Sequence, residues 1–442
     1  MNKKIEHIEN EILDQYLHDK NKSRPWIIGF SGGKDSTVVL QLVWRAVLKV
    51  EKNKRKRDIH VVCNNTLVEN PIIESYVDGV LLKIQEEAAR QGLPIFVYKS
   101  MPALEDTFWI KLIGLGYPAP NHQFRWCTER LKIKPTTRYI KSILKKREGA
   151  ILILGTRISE SSSRAKIIKK HNVIGNRLSA HTLLKNAYIF LPIKNLDLEE
   201  VWYCIASMES PWGANNETLS DIYADASADD YECPSPLIIN GKTPSCGQSR
   251  FGCWTCTVVK EDKSTTELIK SGYKWLRPLL DIRNSLVEER NKPENRKNHR
   301  RNGAYLENGG PYEPEYRAKV LEQVLKAQKE IQKKQPYVEL ISHQELVAIQ
   351  VKWYEDKFYN IKVANIYKKI FQKRINMKSI EDKIKKEKEL LKKTLNNQEH
   401  FGLIEDLLKI QKTKDLMLRK IGLHKGIETR IKAFVKAEKN ED

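Results

Sequence analysis

No stretch of this chain approaches the run of about 18 apolar residues that a membrane-spanning helix needs. The first residues, Met1 to Leu17, are charged and helical in pattern, without the apolar core of a secretion signal. The expectation is a cytoplasmic protein with no membrane attachment. Cysteine is scarce, seven in 442 residues, and the count is odd. That argues against a disulfide framework and leaves metal or redox use. Acidic residues are in deficit: 56 Asp+Glu stand against 78 Lys+Arg, a formal net charge of +22. Such an excess points to a polyanionic partner such as nucleic acid, although a Lys-rich solvated surface gives the same balance. No internal repeat is visible. A Walker A loop is also missing, since four residues must separate its first Gly from its Gly-Lys pair, and here Gly32 and Gly33 are adjacent.

What is present is organised around Trp26 to Thr37. Trp26 to Phe30 reads as a short buried strand, Ser31-Gly32-Gly33 as a tight turn, and Ser36 to Val50 as a helix with apolar residues at helical spacing. A helix opened by a glycine turn offers backbone N–H groups and a partial positive charge to a phosphate. Ser31 and Ser36 can add hydroxyl donors.

Further strands are read at 59–63, 95–100, 151–156 and 188–193, and helices from about 71 to 91, over 103–115 and from Asp197 to Ser207, the last opened by an Asp197–Glu200 capping box. The second strand runs into Asn64 to Pro71, a loop at a strand's carboxyl end, where open α/β sheets bind ligands. Alternation of strands and helices predicts an α/β class with a doubly wound, mostly parallel sheet. The length and 40% hydrophobic content suit two or three domains. The boundaries read as a helical lead-in over 1–24, the nucleotide-binding domain over 25–210, a cysteine-rich and basic-loop region over 211–315, and a Lys-rich helical region over 316–442. Residues 211–244 read as irregular.

Cys246, Cys253 and Cys256 fall within one short Gly-containing segment. Three thiolates this close can converge on one metal or cluster, and an all-thiolate site needs a fourth. Cys233 is near in sequence. Cys127 is distant but lies in Phe124 to Pro135, among cations that favour a thiolate. Spacing does not separate zinc from iron–sulfur. Cys63 and Cys204 lie in apolar stretches and read as core.

The Ser31-Gly32-Gly33-Lys34-Asp35-Ser36 pattern resembles the PP-loop of ATP pyrophosphatases. Together with Cys127-Thr-x-x-Leu-Lys-x-x-Pro135 and Gly155-x-Arg157-x-x-Glu160-Ser-x-x-Arg164, it resembles the PAPS reductase branch of that superfamily. With the Cys246–Cys256 segment and Gly310-Pro311-Tyr312 added, the set closely resembles the DndC-type sulfurtransferases, which place phosphorothioates in the DNA backbone. The resemblance covers about residues 20–320 and is weaker over the Lys-rich remainder.

It implies an enzyme that uses ATP and Mg²⁺. The pyrophosphate would lie in the loop of Ser31, Gly32, Gly33, Lys34, Asp35 and Ser36, with Lys34, Asp35 and Ser36 at the chemistry and Arg157, Glu160 and Arg164 around the phosphates. It also implies a 4Fe–4S cluster on Cys127, Cys246, Cys253 and Cys256. The implied partners are DNA, a cysteine desulfurase as sulfur donor and the other Dnd modification subunits. Arg296, Lys297, His299, Arg300 and Arg301 form a basic loop suited to phosphate contacts. Asn65 stands where the resembled pattern has an acid, which shifts nucleotide or Mg²⁺ binding toward Glu69 or Asp35. Other readings of the same features are a PAPS-type reductase, a tRNA thiolase, or a non-catalytic DNA-binding subunit.

Overall fold

The computed structural model describes residues 1–375 apart from 20–23, 161–164, 166–167, 169–172, 175–176, 227–251, 302 and 357. Arg164, Cys233, Cys246 and the region from 376 onward lie outside the described residues. The chain divides into two compact units, Met1–Pro102 with Pro120–Val287, and Ala103–Ala119 with Glu288–Asp442.

The first unit opens with α1 (Asn2–His18), which buries Ile5, Ile8, Ile12 and Tyr16 at helical spacing. Then follow β1 (Trp26–Gly29), α2 (Lys34–Leu48), β2 (Ile59–Asn64), α3 (Pro71–Arg90), β3 (Ile95–Ser100), α4 (Lys134–Leu144) and β4 (Ala150–Ile153). Short strands β5 (Val173–Ile174), β6 (Leu178–Ala180) and β7 (Ala187–Phe190) precede α5 (Leu198–Ser207), α6 (Asn216–Asp225), α7 (Lys263–Lys270) and α8 (Arg277–Glu289).

Among the described residues the sheet has seven strands in the order β3-β2-β1-β4-β7-β6-β5. The first five are parallel, with Trp26 beside Ile59 on one side and Ile151 on the other. Among the described strands only β6 is reversed, pairing antiparallel with β7 on one side and β5 on the other. The central strands are apolar on both faces because helices cover both. All four residues of β4 are buried. The doubly wound, mostly parallel sheet expected from the alternation of elements is the architecture found. Strand order reverses between β1 and β4, which makes their carboxyl ends the ligand crevice of such a sheet.

Several local expectations match their physical signals. Asp197 and Glu200 form a reciprocal capping box at the start of α5. Asn70 accepts from the Ile72 N–H at 3.1 Å, and Pro71 fills the first turn of α3. Two differ. β4 ends at Ile153, earlier than Thr156, because the chain must leave the sheet for Gly155 to pass against α2. The segment 211–244, read as irregular, contains α6, capped by Asn215 accepting from the Glu217 N–H at 2.8 Å. Its buried Leu219, Ile222 and Tyr223 recur at helical spacing, a signal hidden by the polar residues around them.

The second unit holds the short 3₁₀ turn Leu104–Asp106 and a π-helical turn, Ile110–Gly114, where one continuous helix over 103–115 was expected. It also holds α9 (Pro314–Gln332), α10 (His343–Glu355) and α11 (Val363–Phe371). Its core is pinned by buried indoles: Trp109 donates to the Leu340 carbonyl at 2.7 Å and Trp353 to that of Ile113 at 2.8 Å. Among the described residues no helix is long and apolar enough to cross a membrane.

Candidate active site

The turn between β1 and α2 is built by two small residues and two hydroxyls. Gly32 has φ +75°, and a Cβ there would lie 2.4 Å from Val77 Cγ2, so both backbone and space require glycine. Gly33 is the extended N-cap of α2. Ser36 Oγ donates to the Gly33 carbonyl at 2.9 Å and accepts from the Ser31 N–H at 3.2 Å. Ser31 Oγ lies 3.2 Å from Ser36 Oγ and accepts from the Gly33 N–H at 3.3 Å. The loop is thus held in shape by its own serines, with the positive end of a 15-residue helix behind it.

Beneath the loop lies a buried charge network. Lys34, Asp35 and Arg157 are 1%, 2% and 3% exposed. Asp35 Oδ1 accepts from Arg157 Nε, and Asp35 Oδ2 lies 3.2 Å from Lys34 Nζ. Arg157 also donates to Ser159 Oγ at 2.9 Å, and that hydroxyl donates to the Leu196 carbonyl at 3.1 Å. This puts two cations and a carboxylate in low dielectric beside the positive terminus of α2, where charge interactions are worth far more than at the surface. Gly155 makes the approach possible: a Cβ there would sit 2.9 Å from the Asp35 carbonyl carbon and 3.1 Å from the Ser36 nitrogen. Glu160, half-buried, ends the turn Ile158–Glu160 that follows.

The carboxyl end of β2 receives the cysteine segment. Glu69 and Cys253 form an antiparallel bridge, and the Trp254 N–H donates to the Val68 carbonyl at 3.0 Å. Thr66 Oγ1 donates to Glu69 Oε1 at 2.9 Å and lies 3.3 Å from Cys253 Sγ. The Cys256 N–H donates back to the Cys253 carbonyl at 3.0 Å, so both cysteines share one tight, half-exposed turn. Cys127 is also half-exposed and precedes the π-helical turn Thr128–Ile133. That segment is tied to the same strand end by Thr136 Oγ1, which donates to Asn64 Oδ1 at 2.7 Å.

Among the described residues no three Cys, His, Asp or Glu side chains converge to hold a metal ion. Cys246, the fourth cysteine of the expected set, lies outside the described residues. Cys63 and Cys204 are buried, as their apolar sequence context indicated. Burial pushes the Cys63 thiol up to about 12 and the Cys204 thiol to about 11.

Asn65 serves the backbone: its Oδ1 accepts from the Leu67 N–H at 2.7 Å, steadying Leu67 at φ +65°, while its Nδ2 donates to Glu74 at 2.8 Å. Two residues escaped the sequence reading. The Tyr223 hydroxyl accepts from the Lys34 N–H at 3.1 Å, with the Lys34 ammonium 5.5 Å from the ring centre. Arg283, 1% exposed, donates to the carbonyls of Cys256 at 2.9 Å, Lys260 at 3.0 Å and Val259. Nothing local marks either, since each is defined by a partner far along the chain.

Residues 25–259, just over half of the chain, match the phosphoadenosine phosphosulfate reductase domain family. An uncharacterised protein of Methanocaldococcus jannaschii is 28% identical over 189 residues, which cover 43% of this chain. The chain spans 33% of that relative's length. Among solved structures, a phosphoadenylyl-sulfate reductase from Candida auris in its phosphate complex aligns at 14% identity, covering 49% of this chain and 89% of its own, with a TM-score of 0.30. The U34-tRNA thiolase of Methanococcus maripaludis, with its [4Fe-4S] cluster, aligns at 17% identity, covering 51% and 74%, with a TM-score of 0.31.

Proposed function

Since the chain belongs to the phosphoadenosine phosphosulfate reductase domain family, we propose that it is an ATP-cleaving sulfurtransferase that replaces a non-bridging oxygen of a DNA backbone phosphate with sulfur. The observation that carries this reading is the juxtaposition at the β1/β4 switch point. A serine-braced anion turn sits over the Lys34–Asp35–Arg157 network, and the Cys253–Cys256 turn is bridged to the neighbouring strand end.

The oxygen to be replaced is a poor leaving group. The DNA phosphate oxygen attacks the α-phosphorus of ATP, the bond to the β-phosphate breaks, and pyrophosphate leaves into the Ser31–Ser36 turn. Backbone N–H groups at the start of α2 and the Lys34 ammonium stabilise the departing anion. A persulfide sulfur then attacks the activated DNA phosphorus, and AMP leaves with the original oxygen. A thiol reduces the remaining S–S bond and releases the phosphorothioate. In this reading Asp35 fixes the two cations, and Arg157, Glu160 and Arg164 surround the phosphates. Mg²⁺ bound with ATP would share the phosphate charge.

A cysteine desulfurase supplies the persulfide in this proposal, and further Dnd modification subunits complete the assembly. The proposal includes a 4Fe–4S cluster on Cys127, Cys246, Cys253 and Cys256, although no step of this chemistry runs through it. Iron and sulfide assayed after anaerobic purification should come to about one cluster per chain and fall on Cys127→Ser but not on Cys204→Ser. Stoichiometric zinc, with Cys233 essential, would replace the cluster reading. The DNA reading is tested by mass spectrometry of nuclease-resistant dinucleotides from host DNA. Phosphorothioate dinucleotides are expected with the gene and none without it. Their persistence in its absence would contradict the assignment.

A further inference from the structure

The second unit carries a small two-armed excursion that neither ATP cleavage nor sulfur transfer uses. Arg296 and Tyr312 form one bridge at its base, and His299 and Tyr305 another near its tip. Between them the Lys297 N–H donates to the Pro311 carbonyl at 3.0 Å, Gly310 N–H to Lys297 at 2.7 Å and Leu306 N–H to Asn298 at 2.8 Å. Gly310 is required at this approach, because a Cβ there would lie 2.3 Å from the His299 carbonyl oxygen.

The base uses up part of the basic loop seen in sequence. Arg296 donates to the Gly310 carbonyl at 2.7 Å, with its guanidinium 5.6 Å from the Tyr312 ring centre. Arg301 is held by the Leu115 carbonyl and by Asp356 at 3.0 Å. Lys297 lies 4.0 Å from Glu313. These three residues brace the excursion.

The tip is different. Arg300 and His299 are exposed. Tyr305 is 68% exposed and Leu306 40%. The Tyr305 ring is backed edge-on by His299, with centroids 5.3 Å apart. Tyr305 is held out on a hydrogen-bonded stem beside a guanidinium, while the Leu306 side chain lies over Gly309. An exposed aromatic with a basic residue beside it matches the devices by which proteins engage bases and the flanking phosphate. Among the described residues of the excursion the large exposed apolar side chains are Tyr305 and Leu306, a patch far below the roughly 800 Å² per partner of a specific protein interface. The chain's charge of +22 favours a polyanion.

We propose that this tip is a DNA wedge: Tyr305 enters the base stack while Arg300 holds an adjacent phosphate. The proposal rests on DNA being the substrate and goes beyond it by naming the element that deforms the duplex.

The test uses the full chain and a duplex carrying 2-aminopurine, with affinity followed by anisotropy across a salt series. Tyr305→Ala should weaken binding by about tenfold, the scale of one lost base–aromatic stack, with the salt slope unchanged. Tyr305→Phe should bind as the parent protein does. Arg300→Ala should lower the slope of log affinity against log salt by about 0.9. The parent protein should raise 2-aminopurine fluorescence and Tyr305→Ala should not, with unchanged thermal melting showing that both are folded. If the parent binds DNA and Tyr305→Ala equals it in affinity and fluorescence, the wedge is overturned and DNA as substrate stands. Loss of a co-purifying protein in that case would reassign the tip to a protein contact. If the parent shows no salt-dependent DNA affinity, both the wedge and the DNA reading fall.

Discussion

Asp35 is wedged between two cations at 2% exposure, so the choice of substitution decides what a mutant reports. Asp35→Ala removes the carboxylate that Lys34 and Arg157 share in the interior, and breaking a buried pair in this way costs about 3–5 kcal/mol. Asp35→Asn keeps the shape and removes the charge. Ser36→Ala removes the hydroxyl that joins Ser31 to Gly33, at a cost to stability of about 1 kcal/mol. Both Asp35→Asn and Ser36→Ala should lower pyrophosphate release by about 100-fold or more, on the scale of a lost oxyanion donor, while remaining folded by circular dichroism. Activity near the parent level in Ser36→Ala would remove the turn from the chemistry.

Thiol chemistry supplies a second residue-scale prediction. The Cys63 and Cys204 thiols are raised by burial to about 12 and about 11, above the ordinary value of 9.0 that the unfolded chain would show. Their stabilising contribution is therefore whole below about pH 9 and is lost as pH climbs toward those folded values. At pH 8 iodoacetamide should leave both unmodified in the native protein and alkylate both in urea. Native labelling of Cys63 would contradict the burial. The core assignment of these two was legible in sequence from their apolar neighbours. The carbonyl clamp of Arg283 was not, because one arginine among 78 basic residues carries no local mark.

Elements were legible where periodicity and capping agreed. The strand–turn–helix of residues 26–48 and the capping box of α5 could be read directly, because each depends on neighbours in sequence. The helix α6 was hidden because tertiary burial of Leu219, Ile222 and Tyr223 holds it in a segment rich in turn formers. The close pass of the β4 exit against α2 was equally invisible, yet it gives the sharpest element-scale prediction. Gly155→Ala must push its new Cβ against backbone of Asp35 that lies 2.9 Å away. Overpacking of this kind costs about 1–3 kcal/mol. A lower melting temperature and weakened pyrophosphate release should appear together. A silent Gly155→Ala would mean that the β4 exit and the loop are not in contact. Arg283→Ala should act on a different element. It releases the carbonyls of Cys256, Val259 and Lys260, and should destabilise by about 2–4 kcal/mol from lost charge-assisted bonds.

At the scale of the whole molecule, the net charge of +22 is the most visible feature of the sequence and the least specific. Arg296, Arg301 and Arg317 show why: each spends its guanidinium inside the second unit, Arg317 on the Gly114 carbonyl at 2.9 Å and Asp356 at 3.0 Å. Counting basic residues overstates what is left for a polyanion, and only a structure separates the braces from the exposed cations. The first unit is different, since its mostly parallel sheet and its glycine turn follow from the alternation of apolar and glycine-containing segments, while the strand order comes from the structure.

The proposed function depends on what that turn does to a nucleotide. The most direct measurement is product analysis of the anaerobically purified full chain incubated with ATP, DNA and a persulfide donor, with Asp35→Asn alongside. AMP and pyrophosphate should appear in equal amounts with the parent protein, and at levels lower by about 100-fold or more with the variant. ADP with inorganic phosphate, or no nucleotide cleavage at all by the parent protein, would contradict the proposed function.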